Sequence, residues 1–385
     1  MLLAGCPPAG ADRGTFGDRG PEEREPEPPP PDPRAVWPPK AIWVVRRAYT
    51  APEQIAELME RCRAAGFNTV LFQVRGHGTV YYRSRLEPWA EEYRSPPGFD
   101  PLAVACREAH RRGMALHAWV NVMPIWRGQR PPPWPEHVYN AHPEWLWYDQ
   151  TGRRQPLGSF YVSVNPCLPE VREYLVGVFE EIVRHYPVDG LHLDYIRFPS
   201  DQSPKGADYP YDARTLDLYA RATGKSPRQD RAAWSRWRTE QVTRLVRDIR
   251  EMTRWARPGV RLTAACWADL DAARRDYFQD GAVWTRGGWV DLVFTMNYTR
   301  RNDVFRTRQE VWQRATAGRR VAAGIEATRT PGDPVVLEQV RQARLWGGGL
   351  AVFSDQLLFT DPQSAQTWAA ALRPILTAPQ AALRR

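Results

Sequence analysis

The sequence of 385 residues predicts a (β/α)8 TIM barrel, and three observations support this prediction. Short apolar segments alternate strictly with amphipathic helical segments, eight times over residues 41–376. Such alternation is typical of a parallel sheet that is covered by its crossover helices. Polar residues recur where each predicted strand ends. No glycine-rich nucleotide loop follows the first strand, which weakens the runner-up, an open doubly wound sheet.

The first six residues have the form of a bacterial lipobox, the end of a lipoprotein signal peptide, because Leu3-Ala4-Gly5 precedes Cys6. The basic region and most of the apolar region of such a signal are missing, so either the start codon lies further upstream or the match is chance. We expect Cys6 to be lipidated and the protein to lie in the bacterial cell envelope, lipid-anchored, periplasmic or extracellular. A cytoplasmic location is the alternative. Residues 7–40 are rich in Pro and Glu and predict a disordered linker.

The predicted strands are apolar runs bounded by Gly, Pro, Asp or charged residues. They are 41–45, 69–74, 115–120, 189–193, 261–266, 290–294, 321–325 and 349–353. The predicted helices carry apolar residues three and four positions apart, and several begin at a proline and end before a glycine. They are 52–65, 101–112, 169–185, 232–255, 304–316, 335–345 and 362–372, and residues 377–385 form a tail.

Three long connections, at 76–100, 121–168 and 199–231, follow the second, third and fourth strands. They predict an aromatic wall over one side of the barrel mouth. Flat aromatic faces suit sugar rings, although at least half of these residues must form mini-cores within the loops. The aromatic residues are Tyr81, Tyr82, Trp89, Trp126, Trp134, Trp145, Trp147 and Tyr161.

Composition excludes several other classes of protein. The formal charge is +9, but the basic residues are spread along the chain, so no nucleic-acid partner is predicted. No apolar run is long enough to span a bilayer. The spacing of the cysteines fits no metal motif, and no metal or cofactor is predicted. Cys62 and Cys106 could meet, although buried thiols are the simpler interpretation, and we expect a monomer.

Asp194 is the first candidate catalytic residue. It lies near the C-terminal end of the fourth predicted strand, where TIM barrels carry their chemistry. A buried carboxylate needs a partner, and Arg197 is the nearest candidate. The functional interpretation is an acid, a base or a nucleophile, and the alternative is a structural Asp–Arg pair that closes a loop.

Polar and aromatic residues follow the other strands, as a site at the barrel mouth requires. They are Arg46, Arg47, Gln73, Arg75, His117, Trp119, Asn121, His192, Trp267, Asp269, Met296, Asn297, Tyr298, Glu326, Ser354 and Asp355.

Several motifs occur in one order along the chain: the 66–75 segment ending in Phe72-Gln73-Val74-Arg75, then Leu86-Glu87-Pro88-Trp89, His117-Ala118-Trp119-Val120-Asn121, Asp189-Gly190-Leu191-His192-Leu193-Asp194-Tyr195, and Met296-Asn297-Tyr298. Over about 41–360 the chain resembles the glycosyl hydrolase-like family 10 domain. The resemblance implies a TIM-barrel glycosidase of bacterial envelopes. Some members are outer-membrane lipoproteins that act on peptidoglycan glycan strands stripped of their peptides. A lipid anchor on Cys6 would agree with this.

A more distant likeness to family 18 chitinases does not extend to the catalytic residues. Chitinases carry Asp-Gly-x-Asp-x-Asp-x-Glu on the fourth strand, whereas this chain has His192 for the middle Asp and Ile196 for the Glu. Their substrate-assisted mechanism therefore cannot be transferred directly to this chain.

Glycoside hydrolysis usually needs two carboxyl groups. We rank Glu326 as the second carboxylate, ahead of Asp269, which could equally cap a helix, and then Asp355. Contacts with sugar hydroxyls or N-acetyl groups, or stacking, are assigned to the remaining candidates. They are Gln73, Arg75, His117, Trp119, Asn121, His192, Arg197, Trp267, Asn297, Tyr298 and Asp355. The alternative function is a lipid-tethered barrel that binds glycans without cleaving them.

Overall fold

The computed structural model describes residues 29, 32, 36–93, 95–199, 203–318 and 320–384. Cys6, with its predicted lipidation, lies outside the described residues, as does most of the predicted linker. The site candidates on the barrel strands are all described.

Eight parallel strands close into a barrel, which confirms the predicted fold. The ten strands of the described chain are β1 (Lys40–Val44), β2 (Thr69–Arg75), β3 (Ala115–Asn121), β4 (Pro124–Gly128), β5 (Gly158–Ser163), β6 (Gly190–Asp194), β7 (Arg261–Trp267), β8 (Leu292–Met296), β9 (Val321–Glu326) and β10 (Leu350–Phe353). All except β4 and β5 belong to the barrel, in the order β1-β10-β9-β8-β7-β6-β3-β2.

Helices surround the barrel. They are α1 (Pro52–Ala64), α2 (Pro101–Arg111), α3 (Val138–Ala141), α4 (Pro169–His185), α5 (Ala213–Thr223), α6 (Arg231–Ala256), α7 (Leu270–Tyr277), α8 (Gly281–Arg286), α9 (Asn302–Ala315), α10 (Pro334–Trp346), α11 (Asp355–Leu358) and α12 (Pro362–Thr377). The predicted apolar stripe of α1 is buried, because Ile55, Leu58, Met59 and Cys62 face the barrel. None of the helices in this part of the chain is both long and apolar enough to cross a bilayer.

The register between β3 and β6 divides the barrel interior into levels. His117 lies beside Gly190, Trp119 beside His192, and Asn121 beside Asp194. Because successive strand residues point to opposite faces, residues two positions apart share a face. These three pairs therefore all point inward, at increasing height toward the mouth. Large side chains, Trp43, Trp119 and Phe294 among them, fill the interior below the mouth. The barrel is therefore packed rather than hollow, and the space available to a ligand is at its upper end.

The long connections have secondary structure of their own, which the sequence-based prediction missed. β4 and β5 pair antiparallel above the third barrel strand, and α5 lies within the connection after the fourth. As expected, about half of the loop aromatics form local cores, since Tyr81, Tyr82, Trp126 and Trp147 are buried. Of the eight predicted wall aromatics, Tyr161 on β5 lines the cavity described below.

Candidate active site

A cavity of about 230 Å³ opens at the C-terminal ends of the barrel strands. Its aromatic lining consists of Trp43, Trp119, Tyr161, Tyr195, Tyr298 and Phe353. Its polar lining consists of Arg46, Gln73, Asn121, Asp194 and Arg197. Flat rings interspersed with hydrogen-bonding groups suit a sugar, whose ring faces are apolar and whose edges carry hydroxyls.

Asp194 is the last residue of β6 and is 6% exposed. Its Oδ1 accepts hydrogen bonds from the backbone N–H of Tyr195, at 2.7 Å, and from Nη1 of Arg197, at 3.2 Å. Tyr195 has a φ of 50°, a left-handed conformation that places its N–H beside the carboxylate. The predicted Asp194–Arg197 pair is therefore present, and it lies in the wall of the cavity.

The guanidinium of Arg197 is held by aromatic rings. Its Cζ lies 4.2 Å from the centre of the Tyr195 ring and 5.8 Å from that of Trp267. Trp267 stacks in turn on Tyr277, with ring centres 4.4 Å apart. Trp267 was predicted to contact substrate, but it does not line the cavity, and it supports Arg197 from behind.

The floor of the cavity is formed by Trp43 and Trp119, with His192 beneath them. Nε2 of His192 accepts a hydrogen bond from Nε1 of Trp43, at 3.0 Å. Nδ1 of His192 lies 2.9 Å from the Thr263 hydroxyl. Complete burial lowers the pKa of His192 well below its usual range, so the ring is neutral. His192 was predicted to contact substrate. Instead it lies one level below Asp194 and positions the indole of Trp43.

The wall on the β2–β3 side is a chain of amides. Gln73 donates from Nε2 to Oδ1 of Asn121, at 3.1 Å, and accepts at Oε1 from the backbone N–H of Arg46, at 3.2 Å. Both amides are buried and border the cavity, as predicted for groups that contact sugar hydroxyls.

Tyr298 closes the opposite side. Its ring stacks on Phe353, with centres 5.4 Å apart, and meets Trp43 edge-on. Burial raises the pKa of its hydroxyl well above the usual range, and the nearby negative charges of Asp194 and Glu326 add to the shift. Glu326 is the exposed last residue of β9. It follows Ala322 and Gly324 at intervals of two residues, so it lies on the same inward face of the strand. Asp194 and Glu326 therefore both act electrostatically on one tyrosine at the mouth.

Besides Trp267 and His192, three more of the predicted substrate contacts lie outside the cavity lining. Arg75 is fully buried in a bidentate ion pair with Glu87, at 2.7 and 2.6 Å, and does not reach the cavity. Asn297 directly follows β8 with outward parity, and its Nδ2 donates to the carbonyl of Phe305 in α9, at 2.8 Å. His117 borders a separate cavity of about 360 Å³ at the N-terminal end of the barrel.

Gly190 explains the position of His117. A Cβ atom at Gly190 would lie 2.6 Å from the imidazole, so only glycine at this level of β6 leaves room for the ring. Burial lowers the pKa of His117 to about 4. The ring is a neutral core group two levels below the mouth.

Two candidate carboxylates have structural partners. Asp269 is exposed and caps α7, accepting from the backbone N–H of Ala272 at 2.9 Å, so its capping alternative is correct. Asp355 is buried, accepts from the backbone N–H of Val45 at 2.9 Å, and pairs with Arg47. Neither residue lines the cavity.

Some cavity residues were not among the predicted site residues. The sequence indicates Arg46 only as a strand-end residue and Tyr161 only as a loop aromatic, and Trp43, Tyr195 and Phe353 are not among the predicted site residues. The inward parity of β1 and β10 could have indicated Trp43 and Phe353. Nothing in the sequence indicates that β5 brings Tyr161 to the mouth.

Among the described residues, no three His, Cys, Asp or Glu side chains gather where they could hold a metal ion. Cys62, Cys106, Cys167 and Cys266 are all buried. The chemistry that this arrangement can perform is that of a carboxylate, amides and aromatic faces.

Comparison with known proteins gave a family and a set of structural neighbours. The model of the family described as Glycosyl hydrolase-like 10 matches residues 33–325. Glycosyl hydrolase DigH of Escherichia coli (strain K12) is 25% identical over 300 residues, which covers 69% of this chain and 63% of the relative. Glycosyl hydrolase YngK of Bacillus subtilis (strain 168) is 27% identical over 292 residues, covering 69% and 54%. The chain thus spans less than two thirds of the length of these relatives.

Two solved structures show the same fold. The PgaB (BpsB) glycoside hydrolase domain from Bordetella bronchiseptica has a TM-score of 0.66 at 16% identity, covering 89% of this chain and 99% of that one. The beta-galactosidase from the psychrophilic Marinomonas ef1 has a TM-score of 0.63 at 13% identity, covering 89% and 61%.

Proposed function

The chain belongs to the glycosyl hydrolase-like 10 family, and on that premise we propose that it hydrolyses glycosidic bonds in a polysaccharide at the C-terminal mouth of its barrel. The observation that carries the proposal is the position of Asp194. It is the carboxylate in the cavity lining, and aromatic faces and two amides surround the same space. The names of DigH and YngK support the same class of reaction.

Asp194 acts as the nucleophile or the general base. Its ion pair with Arg197 uses the ionised carboxylate, which can accept a proton or attack a carbon but cannot protonate a leaving group. Both hydrogen bonds are made to Oδ1, and Oδ2 has no hydrogen-bond partner among the described residues. Oδ2 is therefore the oxygen that would face the anomeric carbon or a water molecule.

Glu326 is the general acid of this proposal. It lies at a strand end facing the mouth and is exposed, so it can exchange protons with solvent between turnovers. The electrostatic effect of both Glu326 and Asp194 on Tyr298 supports their convergence on one site. The acid would protonate the departing oxygen while Asp194 acts at the anomeric centre.

As the substrate, we propose glycan strands of bacterial peptidoglycan from which the peptides have been removed, on the basis of the motif resemblance around Asp194 and Tyr298. We also propose that the protein is a monomer in the cell envelope, anchored through lipid on Cys6.

One observation favours a different function, a barrel that binds glycans without cleaving them. Asp194 is the one carboxylate among the described residues that line the cavity, whereas hydrolysis by two carboxyl groups requires a second. Glu326 lies outside this lining, so its participation depends on a substrate that extends to the rim.

The deciding experiment is product analysis by mass spectrometry after incubation with denuded peptidoglycan strands, chitin oligomers and α-glucan. We expect shortened products from the peptidoglycan strands, with the rate lowered at least about 100-fold in Asp194→Asn. Asp269→Asn is the matched control, because it also replaces a carboxylate by an amide but keeps a capping oxygen. If no polymer is cleaved but one is retained in a pull-down, the binding function replaces the hydrolase.

Glu326→Gln tests the acid separately. Loss of a general acid slows the departure of a sugar oxygen but hardly affects an aryl leaving group, which needs no protonation. We therefore expect a large loss on glycan strands and a small one on aryl glycosides. Equal losses on both substrates would remove Glu326 from the proposed mechanism.

A further inference from the structure

Arg46 is a cation in the cavity wall without an acidic partner. The charged groups of the lining are Arg46, Arg197 and Asp194, and the last two form an ion pair with each other. Among the described residues no carboxylate lies within ion-pair distance of Arg46, although the exposed Glu92 is near enough to attract it. The cavity therefore has an excess of one positive charge on the Arg46 side.

The position of this guanidinium is fixed by neutral groups. Nη2 donates to Nδ1 of His77, at 3.3 Å, and to the Tyr161 hydroxyl, at 3.1 Å. Burial, with the charge of Arg46 next in importance, lowers the pKa of His77 to about 3, so that ring does not compete as a cation. A Cβ atom at Gly76 would collide with the guanidinium, so this glycine admits the arginine.

Part of the guanidinium remains available to a ligand. The contacts with His77 and Tyr161 are both made by Nη2, and the buried Tyr81 hydroxyl is a further neutral group close enough to interact with the guanidinium. An arginine held in one orientation in this way can still give a carboxylate a charge-assisted hydrogen bond from Nε or Nη1. Removing a cation from water without a partner is costly, so a bound anion would recover part of that cost.

We infer that Arg46 is a specificity-determining residue that binds a carboxylate carried by a sugar ring of the substrate. This inference rests on the proposed function and narrows it to acidic glycans. In peptidoglycan strands every second sugar carries a lactyl ether, whose carboxylate is free only after the peptide has been removed. Arg46 would thus recognise the denuded strand and disfavour a strand whose carboxylates are blocked as amides.

The test compares two forms of one polymer. The first form is the denuded strand with free carboxylates. The second is the same strand after carbodiimide coupling with methylamine, which turns the carboxylates into neutral amides. We expect wild-type protein to cleave the free form about 10- to 100-fold better in kcat/KM, the range of a charged hydrogen bond. Arg46→Gln should lose this preference, and Arg46→Lys should keep part of it. Arg314→Gln, at an exposed residue of α9, should behave like wild type.

The same comparison is made by binding, with Asp194→Asn alone and combined with Arg46→Gln, followed by tryptophan fluorescence. If wild-type protein cleaves neither form, the proposed hydrolase fails, and the difference in Kd between the two forms still decides the role of Arg46. Equal handling of both forms by wild-type protein, or equal losses on both in Arg46→Gln, would overturn the inference. If Arg46→Gln does not fold by circular dichroism, the wild-type comparison of the two forms decides.

Discussion

Glu87→Gln should destabilise the protein strongly, because it breaks the buried ion pair of Arg75. Both side chains are almost completely buried, at 0% and 1% exposure. Burial opposes the charge of Arg75, but the Glu87 carboxylate outweighs burial and raises the pKa of the guanidinium. The substitution keeps the size of residue 87 but leaves the guanidinium without a counter-charge. Removing one partner of such a pair costs about 3–5 kcal/mol of the free energy of unfolding.

Further contacts of both residues favour the upper part of that range. Glu87 also accepts a hydrogen bond from the Tyr174 hydroxyl, at 2.7 Å. Nη1 of Arg75 donates to the carbonyls of Val122, at 3.1 Å, and Pro124, at 3.3 Å, just beyond β3. Displacing the arginine would therefore also release the chain that follows Asn121 in the cavity wall.

The assay is equilibrium unfolding in urea, with tryptophan fluorescence as the signal. The control is Glu57→Gln, which breaks an exposed pair with Arg61 and should cost at most about 1 kcal/mol. A loss below about 1 kcal/mol in Glu87→Gln would refute the reasoning. A variant of full stability with a raised KM would restore the predicted role of Arg75 in substrate binding.

Three further predictions concern a cap, a pH dependence and a lipid. Asp269→Ala should cost about 1 kcal/mol in urea unfolding through loss of the α7 cap, while glycan cleavage stays unchanged; a loss of turnover would return Asp269 to the site. The folded pKa values of His117, about 4, and His77, about 3, lie below the value of about 6.5 for an unfolded histidine. The unfolded chain therefore binds more protons below pH 6.5, and stability should fall from there toward pH 4, by up to about 1.4 kcal/mol per pH unit for each such histidine. His117→Gln should show a shallower fall, and an equal slope would contradict this account. In cells of the native host fed an alkyne fatty acid, click labelling should mark the wild-type protein and not Cys6→Ala; unlabelled wild-type protein would exclude the anchor.

The sequence by itself determined the barrel and the identity of several groups at its mouth. The alternation of apolar strands and amphipathic helices reflects the burial of a parallel sheet on both faces, and this pattern is local. Asp194, Gln73, Asn121, Trp119 and Tyr298 lie at the cavity as expected, because the C-terminal ends of parallel strands meet at one end of the barrel.

Only the tertiary structure decided the level and direction of each side chain. His117, Trp119 and Asn121 share one face of β3, yet the register with β6 places them at three levels, and only the upper two line the cavity. Asn297 lies between the inward-facing Met296 and Tyr298. It therefore points to the outer face of the barrel and contacts α9.

Contacts made by the loops could not be predicted from the sequence either. Arg75 and Glu87 form their pair because a loop folds back over β2. Tyr161 reaches Arg46 because β5 pairs with β4 above the barrel. Loop segments lack the periodicity that reveals strands and helices, so their contribution to the site follows from three-dimensional packing rather than from any local pattern.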